Sequence, residues 1–198
     1  MPLKYFLPVY FLAYVLVVFI WRAYVVWKRT GMNPIVFRNS DNAHDFIVRV
    51  FKFLFTLVAI DIVLYSFFPF AYRYTDPIQF LQNRWTIMLG VVLLLLSLVW
   101  TVVAQAQMGS SWRVGIDQEH RTSLIERGVF RISRNPIFLG VIVALLGLFL
   151  AVPNALSLLT FVLGVTLTGI QVRLEEEHLS KEHGERYAVY RRKVGRWF

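Results

Sequence analysis

Apolar residues in this chain come in long blocks rather than at regular intervals. Four blocks stand out, at about Tyr5 to Trp27, Val50 to Tyr72, Trp85 to Ala106 and Ile137 to Val172. A run of about 20 apolar residues matches the hydrocarbon thickness of a bilayer. An unpaired backbone group in lipid costs several kcal/mol, so each run is predicted to be a helix. The fourth block is too long for one span, and Pro153-Asn154 punctuates it near the middle. Pro ends a helix at the preceding residue and Pro-Asn favours a turn, so this block is predicted to be a helical hairpin with a short first arm. The fold class expected is all-α: a polytopic membrane helical bundle of about five transmembrane helices, with a further C-terminal helix on the cytoplasmic side. No repeat or flexible linker divides it, and residues 1–198 are read as a single membrane domain.

Composition agrees with that pattern. The chain is 57% hydrophobic and only 17% charged, with a mean hydropathy of +0.56, whereas soluble domains carry about 25% charged residues. There is no cysteine, which excludes disulfides, thiolate zinc sites and a cysteine nucleophile. The first block has only Lys4 ahead of it and is followed by Trp21-Arg22 rather than a small-residue cleavage site. It is therefore expected to be retained rather than removed as a signal peptide.

A net charge of +9 would suit nucleic acid, but its placement suits a membrane better. Seventeen Lys and Arg fall in the segments after the first and third blocks and in the tail, against Lys4, Arg73 and Arg84 on the other side. Basic residues collect in cytoplasmic loops. The N-terminus is thus expected outside and the C-terminus in the cytoplasm, with no nucleic-acid partner and the lipid bilayer as the surrounding medium.

Polar sequence concentrates in Gln107–Pro136 and Leu174–Phe198, which flank the hairpin. Because the hairpin returns the chain to the cytoplasmic face, the two segments must meet there. They would enclose a pocket with polar chain above and apolar helices below, suited to a charged, soluble reagent and a lipid-like acceptor. Asp117 to Ile125 could form a short surface helix, and Pro136 is well placed at a helix start. A basic border at the membrane surface would also explain the arginines. Glu177/Lys181 and Glu182/Arg186 have i,i+4 spacing, worth about 0.2–0.5 kcal/mol per pair on a solvated face. Glu175 and Glu176 lie nearest the membrane exit and are better candidates for holding a cation. Tyr187 and Tyr190 are expected as interfacial anchors. Asp61 and Arg22 are ionisable groups within apolar blocks, and so candidates for function. Asp61 could instead bond a neighbouring helix or pair with Arg22, and Arg22 could reach water along its own stem.

Three motifs occur in order: Leu124-Ile125-x-x-Gly128-x-Phe130, then Arg134-Asn135-Pro136-Ile137-Phe138-Leu139-Gly140, and, beyond the hairpin, Glu175-Glu176 followed by Gly184-Glu185-Arg186-Tyr187-Ala188-Val189-Tyr190. In order, spacing and membrane context this resembles the isoprenylcysteine carboxyl methyltransferase family, integral membrane enzymes that use S-adenosylmethionine. The resemblance covers roughly the last ninety residues, making 85–198 a methyltransferase-like core and 1–84 a two-helix N-terminal extension. It implies S-adenosylmethionine as cofactor in a cytoplasm-facing pocket, no metal, and a lipid-like or small hydrophobic acceptor carrying a carboxylate, thiol or amine. Carried over residue by residue, cofactor contacts fall on Thr122, Ser123, Leu124, Ile125, Phe130, Asn135, Pro136, Ile137, Phe138 and Glu175. Candidate catalytic residues are Arg134, Gln171, Arg173 and Glu176.

The chain departs from the family pattern in three places. Asn135 stands where the family has histidine, and an amide cannot exchange a proton near neutral pH. Phe130 and Phe138 replace tyrosines. Gln171 stands where an arginine near the acceptor is usual, with Arg173 two residues on, which argues against a prenylcysteine carboxylate. An amine or thiol acceptor would have to lose a proton, and His120, His178 and His183 are the nearby bases by sequence, although each also suits a wet surface. Two other classes fit the helical pattern: an NADPH-dependent membrane reductase of the sterol-reductase type, and a non-catalytic transporter or scaffold. The spans lack the paired Gly/Pro-broken segments that mark transporter sites, and the R-x-P-x-F-x-G order with the glutamates favours the methyl donor.

Overall fold

The computed structural model describes residues 2–34, 43–113 and 123–198. Among these residues there are five helices of 16 residues or more and a nine-residue polar one, besides shorter turns of helix, and no strand. Helix α1 is Leu3–Thr30. Its middle, Val15–Trp21, runs in π geometry through seven large apolar residues, and Gly31 ends the helix in a left-handed conformation at φ 70°. Helix α2 is Ala43–Phe67. Helix α3, Arg84–Met108, starts under the Asn83 side chain, which accepts the backbone N–H groups of Trp85 and Thr86 at 3.1 and 3.0 Å. Helix α4, Pro136–Ala151, has its proline in the first turn, where a missing N–H costs nothing. Helix α5, Ala155–His183, and helix α6, Glu185–Lys193, complete the chain.

Helices α1, α3 and α5 are each long and apolar enough to cross a membrane. The 25 residues of α2 reach about 37 Å, and the 16 of α4 only about 24 Å, short of a bilayer core. The short hairpin arm predicted from the sequence is thus α4. Side chains such as Phe53, Leu96 and Val99 lie on the outside of the bundle at 58–62% exposure. A continuous apolar exterior of this kind suits lipid and would aggregate in water. This is an integral membrane protein.

Helices α3 and α4 make the closest approach. A Cβ on Gly90 would strike the backbone of Ala151 and Gly147, and one on Gly147 would come within 2.9 Å of the Leu94 nitrogen. Small residues let membrane helices pack backbone to backbone where no hydrophobic force drives them together. Leu7 and Tyr10 of α1, Ile62 of α2 and Leu94 of α3 share one buried cluster with Leu148, Ala151 and Val152. The N-terminal helices are therefore packed against the hairpin rather than appended to it.

At the hairpin turn, Asn154 caps α5 by accepting the Ser157 N–H at 2.8 Å, while Ser157 Oγ accepts the Asn154 N–H at 3.1 Å. The Asn154 amide also donates to Asp61 Oδ1 at 2.9 Å, and Asp61 is fully buried. Of the alternatives for Asp61, the hydrogen bond to a neighbouring helix is the one formed; Arg22 is engaged elsewhere. Removing a buried acceptor costs about 1–3 kcal/mol. Asp61→Ala should therefore lower the yield of folded protein and leave turnover per folded molecule unchanged. Measuring both in one preparation checks this, and normal yield with abolished turnover would contradict it.

The surface expectations fare unevenly. Lys181 pairs with Glu177 at 2.6 Å as spaced. Glu182 does not pair with Arg186: it lies 3.5 Å from His178, and Arg186 reaches across to Glu126 at 2.9 Å. The break at Gly184, φ 53°, ends α5 and removes the helical register that the i,i+4 pairing needed. Most of the Asp117–Ile125 helix falls outside the described residues, and Ser123–Ile125 are not helical.

Candidate active site

Two contacts fold the first polar segment back on the end of α3, and a third ties it to the tail. Gln107, in the last turn of α3, accepts the Val129 N–H at 2.8 Å, and Gly128 sits against that same side chain at φ 60°, where a Cβ would collide with it. The turn Gly128–Arg131 then buries Phe130. Tyr190 of α6 donates its hydroxyl to the Phe130 carbonyl at 2.6 Å.

Glu176 is the hub beneath this layer. Its Oε1 accepts from Arg134 Nε and Nη2 at 3.2 and 3.1 Å and from Asn135 Nδ2 at 2.9 Å. Its Oε2 accepts from Arg196 Nη2 at 2.9 Å. The remaining donors of Arg134 go to the carbonyls of Val194 and Arg191, and its backbone N–H goes to Gly195. Ser133 Oγ donates to the Arg196 carbonyl at 3.1 Å. The hydrogen bond to Glu176 raises the Arg196 guanidinium above its ordinary value. Tyr187 and Tyr190 are buried with Leu124 and Val194 rather than anchored at an interface. Burial, with the Glu176 carboxylate adding to it, pushes the Tyr187 hydroxyl up to about 12, and burial raises Tyr190 too. Both hydroxyls stay protonated, and Tyr190 remains a donor.

Beside the hub lies a half-open cavity. Ser123, Leu124, Ile125 and Phe130 line it together with Arg134, Asn135, Pro136, Ile137 and Phe138. Glu175 enters from α5. Thr122 lies outside the described residues.

A family model for phospholipid methyltransferases matches residues 85–186, just over half of the chain. The chain belongs to that family. No curated protein and no solved structure matches it. The protein is thus a membrane methyltransferase, and family membership favours methyl transfer over reduction or a scaffold role. The matched stretch contains every described residue on the cavity wall except Tyr190.

The candidate catalytic residues of this family member lie in different settings. Arg134 reaches the cavity wall, but its guanidinium is spent on Glu176 and the tail carbonyls. Glu176 is 6% exposed and does not line the cavity. Gln171 is buried and donates its amide to Glu175 Oε1 at 2.9 Å. Arg173 lies on the exposed face of α5, donating to the Gly169 carbonyl at 2.6 Å. His178 and His183 sit beside Glu182, away from the cavity, and His120 is outside the described residues. Sequence reasoning missed Met108, Ser111, Leu179 and Tyr190 on the wall. Leu179 is one helical turn beyond Glu175 and was within reach of periodicity. Met108 and Ser111 arrive by long-range packing that no local pattern encodes.

Proposed function

We propose that this protein transfers a methyl group from S-adenosylmethionine to a lipid-like acceptor at the cytoplasmic face, using a donor pocket of the isoprenylcysteine carboxyl methyltransferase type. The observation that carries the reading is Glu175. It faces a cavity otherwise walled largely by apolar side chains and pairs with no cation among the described residues. A carboxylate so situated fits an ammonium group, and Phe130 and Phe138 fit an adenine ring. When bound, S-adenosylmethionine supplies a sulfonium methyl that is already activated.

The chain's own residues then have modest tasks. Glu175, oriented by Gln171, holds the cationic end of the donor. Asn135, fixed by Glu176, and Pro136 line the cavity, and the apolar wall excludes water while the reacting atoms are aligned. Among the described residues no free guanidinium lines the cavity for an acceptor carboxylate, because Gln171 is neutral, Arg173 faces outward and Arg134 is engaged. The acceptor's reacting end is therefore an uncharged amine or thiol, with a lone pair to take the methyl. Its proton leaves to water at the open mouth, since no histidine lines the cavity among the described residues. The basic segments that build the site put it, with the C-terminus, on the cytoplasmic side and the N-terminus outside.

Liposomes containing the protein, methyl-labelled S-adenosylmethionine and lipids with amine or carboxylate head groups test this. Label should enter the organic phase in a base-stable form with the amine lipid. Label found only as base-labile ester, or faster methylation of a water-soluble acceptor in detergent, would contradict it.

A further inference from the structure

Arg22 has no part in the methyl-transfer reading, and it belongs to α1, outside the residues matched to the family. Yet it is 8% exposed rather than reaching for water. Its Nη2 donates to the carbonyl of Gly109, and its guanidinium stands 5.8 Å over the ring of Trp112, itself buried. That separation is within cation–π range. Gly109 closes α3 at φ 58°, ψ −131°, a conformation open to glycine and costly for other residues. The carbonyls of a helix's last turn have no partner within the helix, and the acceptor beside Arg22 follows directly on that turn.

What lies around this contact matters. Met108 and Ser111 flank Gly109, and both line the cavity. Ser111 Oγ is 3.0 Å from Ser123 Oγ, another residue of the cavity wall. A second tie between the same helices lies deeper: Gln105 Nε2 donates to the Val18 carbonyl at 3.0 Å, within the π stretch of α1. Gln105 does not line the cavity. One polar tie thus ends on the cavity wall, and the other only joins two helices.

We infer that Arg22 is a positioning residue for the donor cavity: it holds Gly109 and Trp112, and through them the Met108–Ser111 wall. The N-terminal extension is then part of the site rather than a membrane anchor for a self-sufficient core. This inference rests on the proposed donor site and goes beyond it by assigning a role to residues outside the family core.

The test uses the full chain with Arg22→Ala, Arg22→Gln, Arg22→Lys and, as a control, Gln105→Leu. S-adenosylhomocysteine affinity by calorimetry and the thermal midpoint without ligand are read for each. Arg22→Ala and Arg22→Gln should weaken binding by roughly tenfold, the scale of one lost charge-assisted hydrogen bond, and Arg22→Lys should recover part of it. Gln105→Leu should lower the midpoint and leave affinity unchanged. Arg22 variants with a lowered midpoint but wild-type affinity would overturn the inference by reducing Arg22 to a structural contact. So would equal losses of affinity in Gln105→Leu. If the wild type itself does not bind S-adenosylhomocysteine, the donor reading fails first and this inference with it.

Discussion

Glu176→Ala should be the most damaging single substitution in the chain. The carboxylate it removes is 6% exposed and serves Arg134, Arg196 and Asn135 together. Arg134, whose side chain is 8% exposed, would keep its charge in a buried setting with only carbonyls for company. Removing one partner of a buried ion pair costs about 3–5 kcal/mol, mostly because the other charge is left uncompensated. At about 2–4 °C per kcal/mol for a chain of this size, the thermal midpoint of the detergent-purified protein should fall by roughly 10 °C. Glu176→Gln keeps acceptors for Arg134 and Asn135, and should fall between the two. An alanine variant as stable as wild type would mean that the tail, Arg134 and α5 are held together by something other than this hub.

Glu175→Ala should do the opposite: little to the fold and much to binding. Its carboxylate accepts one hydrogen bond, from Gln171, and otherwise faces the cavity. A hydrogen bond to a charged group is worth about 1.5–3 kcal/mol, so S-adenosylhomocysteine affinity should drop by roughly 10- to 100-fold. Glu175→Gln, with the shape kept and the charge gone, should lose nearly as much. Wild-type affinity in both variants would remove Glu175 from the donor site.

Adjacent glutamates thus divide two tasks, and the sequence shows why that division was hard to read. Glu175 and Glu176 are the same residue type at the same membrane exit. Only the 100° step between neighbours on a helix sends one into the cavity and the other into the tail. Arg134 was a natural candidate for a catalytic residue. Its partners, Val194, Arg191 and Glu176, come from 42 to 60 residues away, a distance over which no local pattern speaks. Tyr187 and Tyr190 have the amphipathic character of interfacial residues, and a buried hydroxyl with one partner uses the same character. What was legible rests on short-range physics. The apolar blocks became helices, Pro136 opened one, Pro153-Asn154 turned the hairpin, and the motif order gathered residues from both segments around one cavity. Asp61 was legible only as a choice between partners, because its bond to Asn154 spans 93 positions.

The central claim is that the cavity beside Glu175 takes a methyl donor. Calorimetric titration of detergent-purified wild-type protein with S-adenosylmethionine, S-adenosylhomocysteine and NADPH tests it most directly. The account predicts that the first two bind at one site per chain and that NADPH does not. Binding of NADPH alone, or of none of the three, would contradict it.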